Sequence, residues 1–337
     1  MSRPPRIAVA HNDPDPSWRW VLDRTDTPVE VSSFAMVRGG ETSPLARLRQ
    51  LGAARALWRA HDAAPFDLVL SFGPYAAMRV GLTQGARVAR HDCFAFNFTD
   101  LPGGPKRLAM RRGLRRLGRG YVLTRAERSL YATAFGLPEA AFVRVPWGVT
   151  PPEPAPGALP GPGGPYVSAL GGEARDYATL VEAARHLPGT RFVVVARPRN
   201  LEDLDLPPNV ETLTNIPFAE AWRVVARSQL HVLPLRSRDT PCGIVTLVGA
   251  MHLGVPQVVT EAVGVTDYAA PGVHALNVPA RDPKAMAGAI DALMGDEARR
   301  VAIGAAAAAR AREAYGEATT LRFAERLVRE AASASGS

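Results

Sequence analysis

The run LGGEARDYATLVEA carries two glycines, Gly171 and Gly172, and an arginine three residues on, Arg175. These are the residue types that hold an anion. Glycines let backbone N–H groups approach an oxyanion, the N-terminus of a following helix favours it, and a guanidinium grips two phosphate oxygens at once. Taken alone, Arg175 reads more readily as a surface arginine capping its own loop. A second stretch, RSRDTPCG from Arg236 to Gly243, lies between the apolar run LHVLPL and an apolar helix, so its backbone N–H groups and the helix end would also face an anion. His91 and Asp92 close the short run ARVA, and His11, Asp13 and Asp15 follow the run RIAVA. A lone histidine in such a place is as readily structural as functional. Gly249 interrupts the apolar run Ile244 to Leu253, where alanine would favour a helix by roughly 1 kcal/mol. Either a neighbour approaches closely there, or the position once held a functional side chain.

The elements that would position these residues alternate between strand and helix. RIAVA, FDLVLS and ARVA are short β-branched runs with helical stretches such as Pro44 to His61 between them. A second alternation starts at PYVSAL and passes through helix Asp176 to His186, strands RFVVVA and VETLT, and helix Phe218 to Arg227. It continues with strand LHVLPL, the helix containing Gly249, strand PQVVT and helices from Pro283 onward. Strands alternating with helices of this length predict parallel sheets. Between the two blocks, 11 of the 15 residues from 151 to 165 are Pro or Gly, the composition of a linker. The expected fold is therefore α/β, two Rossmann-like doubly wound domains with a central cleft outside the carboxyl ends of their strands. The domains are expected at 1–148 and 166–316, with a linker at 149–165. A final helix over 317–333 is expected to return to the first domain on a stripe of Leu321, Ala324, Leu327 and Val328.

Length and composition set limits. At 337 residues the chain exceeds the usual single core, and 47% apolar residues with near-zero mean hydropathy suit a globular protein. No apolar run reaches the ~18 residues of a spanning helix, and the start MSRPPRIAVAHND lacks the apolar centre of a signal peptide, so a cytoplasmic location is expected. Cys93 and Cys242 stand far apart without ligand spacing, which argues against a disulfide framework or structural zinc. The net charge of +8 comes almost wholly from arginine, since only Lys106 and Lys284 are lysine among 40 basic residues. A nucleic-acid partner is not expected. The run KRLAMRRGLRRLGRG, residues 106–120, reads either as a solvated arginine face or as a weak contact for anionic lipid or acceptor through 106–119.

The order of VSALGGEARDYATLVEA, PPNVETLTNIPFAEAWRVVARSQLHVLPL and CGIVTLVGAMHLGVPQVVTEAVGVTDYAAPGVHALNVPARDP resembles the C-terminal half of the retaining glycosyltransferases of family 4, also called group 1, which have the GT-B fold. VLTRAERSLYATAFGLPEAAFVRVPWGV is similar to the end of their N-terminal domain. The likeness covers roughly residues 120–315.

The resemblance implies a glycosyltransferase that takes a nucleotide-diphosphate sugar as co-substrate and needs no metal and no other cofactor. By its spacing to Leu180, Glu182 and Ala183, Arg175 falls where the family holds the donor diphosphate, just after the glycine turn Gly171-Gly172. Thr240, Cys242, Gly243 and Ile244 fall in the donor loop, and Asp239 falls near enough for a sugar contact, or is an exposed loop aspartate. Ile216 matches the position whose backbone meets the base, and Asp267 an acidic position near the donor. His91, as a catalytic or acceptor contact, and Asp92, His11 and Asp13 fall on the acceptor side. Two family glutamates separated by seven residues map onto Pro241 and Gly249, so both are missing, and Gly249 would stand in a carboxylate's place rather than a packing residue's. In the family's retaining route the departing phosphate takes the acceptor's proton, and no separate base is implied.

Overall fold

The computed structural model describes residues 3–12, 20–36, 44–157, 164–236 and 241–334, so the expected contacts Asp13, Asp239 and Thr240 lie outside the described residues. Two compact units result, Met1–Pro146 with Ala318–Ser337, and Trp147–Glu317.

The first unit runs β1 (Arg6–His11), α1 (Trp20–Asp23), β2 (Glu30–Ala35), α2 (Pro44–Ala63), β3 (Leu68–Phe72), α3 (Pro74–Thr83), β4 (His91–Phe94), α4 (Gly104–Leu114), β5 (Gly120–Val122), α5 (Ala126–Phe135) and β6 (Phe142–Arg144). Its six-stranded sheet has the order β2-β1-β3-β4-β5-β6, and every neighbouring pair is parallel. Parallel strands are covered on both faces, which is why β1 and β3 are near-continuous apolar runs. Ile7, Val9, Leu68 and Leu70 pack into one layer, Ala8, Ala10 and Val69 into the other with Trp58. The winding direction switches between β1 and β3, the point at which such sheets take ligands outside their carboxyl ends.

ARVA is not a strand. Residues 87–90 are irregular, Val88 is 97% exposed, and only Ala89 of this run packs against the core beside the sheet. The strand is β4, whose Cys93 and Phe94 are buried, and its register sets His91 opposite Val69 and Phe94 opposite Phe72. His91 and Asp92 therefore open the strand at the amino end of the sheet, where the expectation had them closing it at the carboxyl end.

The basic run forms α4 and the turn after it. Met110, Leu114 and Leu117 are buried with Phe96 and Tyr131, and Gly81 and Gly113 let the backbones of α3 and α4 touch, since a Cβ on either would overlap the other helix's backbone. The apolar side of the run is thus spent inside the unit, apart from Leu108, while Arg111, Arg112, Arg115 and Arg116 are exposed.

The second unit runs β7 (Val167–Leu170), α6 (Tyr177–Arg185), β8 (Phe192–Ala196), β9 (Val210–Thr214), α7 (Phe218–Ala226), β10 (Leu230–Leu233), α8 (Ile244–His252), β11 (Gln257–Thr260), β12 (Leu276–Val278), α9 (Pro283–Met294) and α10 (Glu297–Ala314). Its parallel sheet has the order β12-β11-β10-β7-β8-β9, with the switch point between β7 and β10. The described part of the expected linker is bonded to this unit: Val149 bridges to Gly316, and Ala155 N–H donates to Ala219 O at 2.9 Å.

The last helix, α11 (Glu317–Ala334), packs in the first unit through Phe323, Ala324, Leu327, Val328 and Ala331. Phe323 stacks on Phe94 at 5.1 Å between ring centroids, and Leu321, expected on this stripe, is only partly buried. Among the described residues no helix is long and apolar enough to cross a membrane.

Candidate functional site

The switch point of the second unit brings together the loop after β7 and the segment between β10 and α8. Arg236 N–H donates to Ala174 O at 2.8 Å and Asp176 N–H to Pro234 O at 3.0 Å, which ties the two together. Arg175 lies between them, 9% exposed. Its Nε donates to Leu170 O at 3.1 Å, Nη1 to Glu173 O at 2.9 Å and Nη2 to Thr246 Oγ1 at 2.9 Å. Three of its five N–H groups are used on the protein, and no carboxylate lies within ion-pair reach among the described residues. Burial pulls its pKa below the ordinary arginine value. Gly171 has φ +129, and a Cβ there would overlap the Arg175 guanidinium, so this glycine is needed for the arginine to lie across its own loop. Gly172 sits under Arg197, which pairs with Glu173 as does Arg199 Nη2 at 2.8 Å.

Thr246 stands in the first turn of α8, whose preceding residue Gly243 has φ 77 and leaves the helix start without a side-chain cap. N–H groups without a side-chain cap and a guanidinium without a carboxylate, both among the described residues, are two independent features that favour an anion. Cys242 and Ile244 are buried in the core, so any donor contact from them is through backbone. Ile216 packs at the edge of a core cluster with Tyr166 and Val193. Asp267 ends a short 3-10 turn after β11, where its carbonyl accepts from Tyr315 OH at 3.1 Å. Behind the site His231 is fully buried, with Nδ1 3.0 Å from Ser168 Oγ, and burial together with the Arg175 charge holds its pKa down at about 3.

Gly249 is a packing residue, contrary to the expectation. It lies in the second turn of α8 directly under the indole of Trp222 from α7, and a Cβ at this position would overlap the ring. The glycine is there because Trp222 is. Nothing of the run around Gly249 marks this, since the tryptophan is 27 residues earlier in the chain.

On the first unit His11 ends β1, buried, with Nε2 2.8 Å from Ser33 Oγ. His91 is buried at the opposite end of the sheet, 2.8 Å from Ser71 Oγ, and burial lowers its pKa to about 4. Asp92 receives Arg90 at 2.7 Å, Arg119 N–H at 3.1 Å and Tyr121 OH at 3.1 Å, a structural junction that Glu330 of α11 extends to Arg90 and Arg119. Neither residue is an acceptor contact at the carboxyl edge.

The carboxyl end of β5 holds a group that the motif reading passed over. Glu127 is fully buried, and its Oε2 accepts the N–H groups of Leu123 and Thr124 at 2.9 and 2.8 Å. Its Oε1 accepts from Tyr131 OH at 2.8 Å, and Tyr131 in turn takes Phe98 N–H at 3.2 Å. The spacing Thr124-x-x-Glu127 is a capping-box signal in plain sight. Burial pushes the Glu127 carboxyl up to about 7 from an ordinary 4.5. Between those values the folded state holds a proton that the unfolded chain has lost. Its contribution to stability is therefore full below about 4.5 and is lost as pH rises to about 7, by about 3 kcal/mol. Urea unfolding of wild type and Glu127→Gln from pH 4.5 to 8 should show the difference between them shifting by that amount; a difference that does not change with pH would contradict the assignment.

Among the described residues no three His, Cys, Asp or Glu side chains gather as a metal site.

Residues 166–296 match the family model described as glycosyl transferases group 1. A search of the curated proteins found no match. Among solved structures, the chain is similar to sucrose-phosphate synthase from Thermosynechococcus elongatus, at 16% identity and TM-score 0.74 over 97% of this chain and 98% of that one. It is also similar to a glycosyltransferase from Rickettsia africae, at 12% identity and TM-score 0.70 over 98% and 99%. A third likeness is to Anabaena Alr3699/HepE, solved in complex with UDP, at 13% identity and TM-score 0.69 over 98% and 99%. At these identities the likeness establishes the GT-B fold, two Rossmann-like parallel-sheet units.

Proposed function

We propose that this glycosyltransferase, whose second unit carries the group 1 domain at residues 166–296, moves a sugar from a nucleoside-diphosphate sugar to an acceptor hydroxyl with retention of configuration. The observation that carries the reading is Arg175, a guanidinium kept from water at the β7/β10 switch point and answered by no carboxylate among the described residues. A buried cation without a counter-charge is costly, and a diphosphate would supply the missing anion. As the sugar departs with oxocarbenium character, negative charge builds on the phosphate oxygen, and a fixed guanidinium with the N–H groups of α8 is already in place to meet it. The departing phosphate oxygen then takes the acceptor's proton, and no cofactor besides the nucleotide sugar is involved. The reading puts the protein in the cytoplasm, where Cys93 and Cys242 stay outside any disulfide, as they are here. The Anabaena neighbour's complexes with UDP and UDP-glucose support uridine nucleotides as the first donors to try.

A second reading, a binding protein on the same fold, rests on Pro241 and Gly249 standing at the two glutamate positions, with Trp222 filling the space beside the second. Incubation with a panel of UDP-, GDP- and ADP-sugars separates the two. Transfer predicts release of the nucleoside diphosphate and, by proton NMR, a product or hydrolysed sugar that first appears in the donor's anomeric form. No release from any member of the panel would favour the binding protein.

A further inference from the structure

The first unit has a switch point of its own, between β1 and β3, and a second arginine without a carboxylate partner among the described residues stands there. Arg79, in the second turn of α3, reaches back to Asn12, the residue after β1, with Nη1 3.3 Å from Asn12 Oδ1. That neutral amide is its polar partner, and no carboxylate lies within ion-pair distance among the described residues. The guanidinium is more than half buried, and burial pulls its pKa below the ordinary value. Arg87, Arg90 and Arg119, which face Asp62, Asp92 and Glu330, shift the other way. Among the described arginines only Arg79 and Arg175 shift downward, and each sits at the switch point of its own sheet.

Structure alone does not account for Arg79. One long contact to an amide returns little of the cost of desolvating a cation, and an apolar side chain of the same length would cover the same surface more cheaply. Four of its five N–H groups have no partner among the described residues, enough for a two-pronged grip on an oxyanion. Tyr75, one turn nearer the start of α3, is 39% exposed with its ring held edge-on against Phe98 at 5.8 Å, which leaves an aromatic flank beside the cation.

We propose that Arg79 with Asn12 binds an anionic group of the acceptor, a phosphate or a carboxylate carried by a sugar whose ring lies beside Tyr75. The word acceptor rests on the glycosyl-transfer reading; the anion site does not.

The test is calorimetric titration of the full chain with glucose 6-phosphate, glucuronate and glucose, on wild type, Arg79→Met and Arg79→Lys. Arg175→Met is titrated alongside so that an anion held at the donor edge is told apart, and UDP serves as the control ligand. Wild type should prefer one anionic sugar over glucose by about tenfold or more, the effect of a charge-assisted contact, and which one it prefers tells phosphate from carboxylate. Arg79→Met should abolish the preference, Arg79→Lys should keep part of it, and Arg175→Met should keep it whole. The melting temperature of Arg79→Met should not fall, because the substitution removes a desolvated charge. Equal binding of all three sugars to wild type, or a preference that survives in Arg79→Met, would overturn the proposal. So would an Arg79→Met protein that melts several degrees lower with its preference intact, since the arginine would then be structural. Failure of UDP to bind wild type would count against the donor reading and leave the Arg79 site standing.

Discussion

Arg175→Met should lower the rate of sugar transfer by about two to three orders of magnitude, the loss expected when one preorganised donor to a developing oxyanion is removed. The contact strengthens as the phosphate departs, so the turnover number should fall more than the Michaelis constant for the donor rises. Folding feels this residue as a balance, because the guanidinium holds Leu170 O, Glu173 O and Thr246 Oγ1 while remaining a desolvated charge. Methionine gives up the three bonds and also the desolvation cost, so stability measured in urea should change by no more than about 1 kcal/mol. A variant that keeps its turnover would remove Arg175 from the donor site. One that unfolds at much lower urea would make it a structural tie between β7 and α8.

Gly249→Glu should destabilise the fold by about 3 to 5 kcal/mol. The indole of Trp222 occupies the space that the new side chain needs. The substitution overpacks a buried contact and places an unpaired charge in it, two separately costly changes. Gly249→Ala should already cost about 1 to 3 kcal/mol through the overlap alone. If the tryptophan is the obstacle, adding Trp222→Ala to Gly249→Glu should recover part of the loss, a non-additivity that a double-mutant cycle reads directly. Single Gly249→Glu protein of wild-type stability with tighter nucleoside diphosphate binding would show that the ring moves aside and that the carboxylate reading was right.

Periodicity carried the fold further than it carried the site. The βα alternation and the Pro/Gly stretch mark both sheets because parallel strands and crossover helices each have their own apolar period. The failures share a cause. Whether ARVA or HDCF pairs with β3 is a tertiary fact, so the local pattern sets His91 and Asp92 at the wrong end of the strand. The helical period puts Leu321 on the α11 stripe, whereas the structure buries Phe323 there because Phe94 offers it a ring to stack on. Gly249 looked vacated because the tryptophan that explains it is distant in sequence. The position of Arg175 between a glycine turn and the start of α6 is legible because one short motif contains all three. Its partner Thr246 and its counterpart Arg79 are not, since nothing local says that a threonine 71 residues away or an amide 67 residues away will meet them.

The central claim is that a buried arginine at the switch point of the second unit holds the diphosphate of the donor. Calorimetric titration of wild type and Arg175→Met with UDP, GDP and ADP tests it most directly, because it needs neither the sugar nor the acceptor. Wild type should bind at least one of the three, and Arg175→Met should bind that nucleotide about ten- to a hundredfold more weakly at unchanged stability. Equal affinity in the two proteins would contradict the claim.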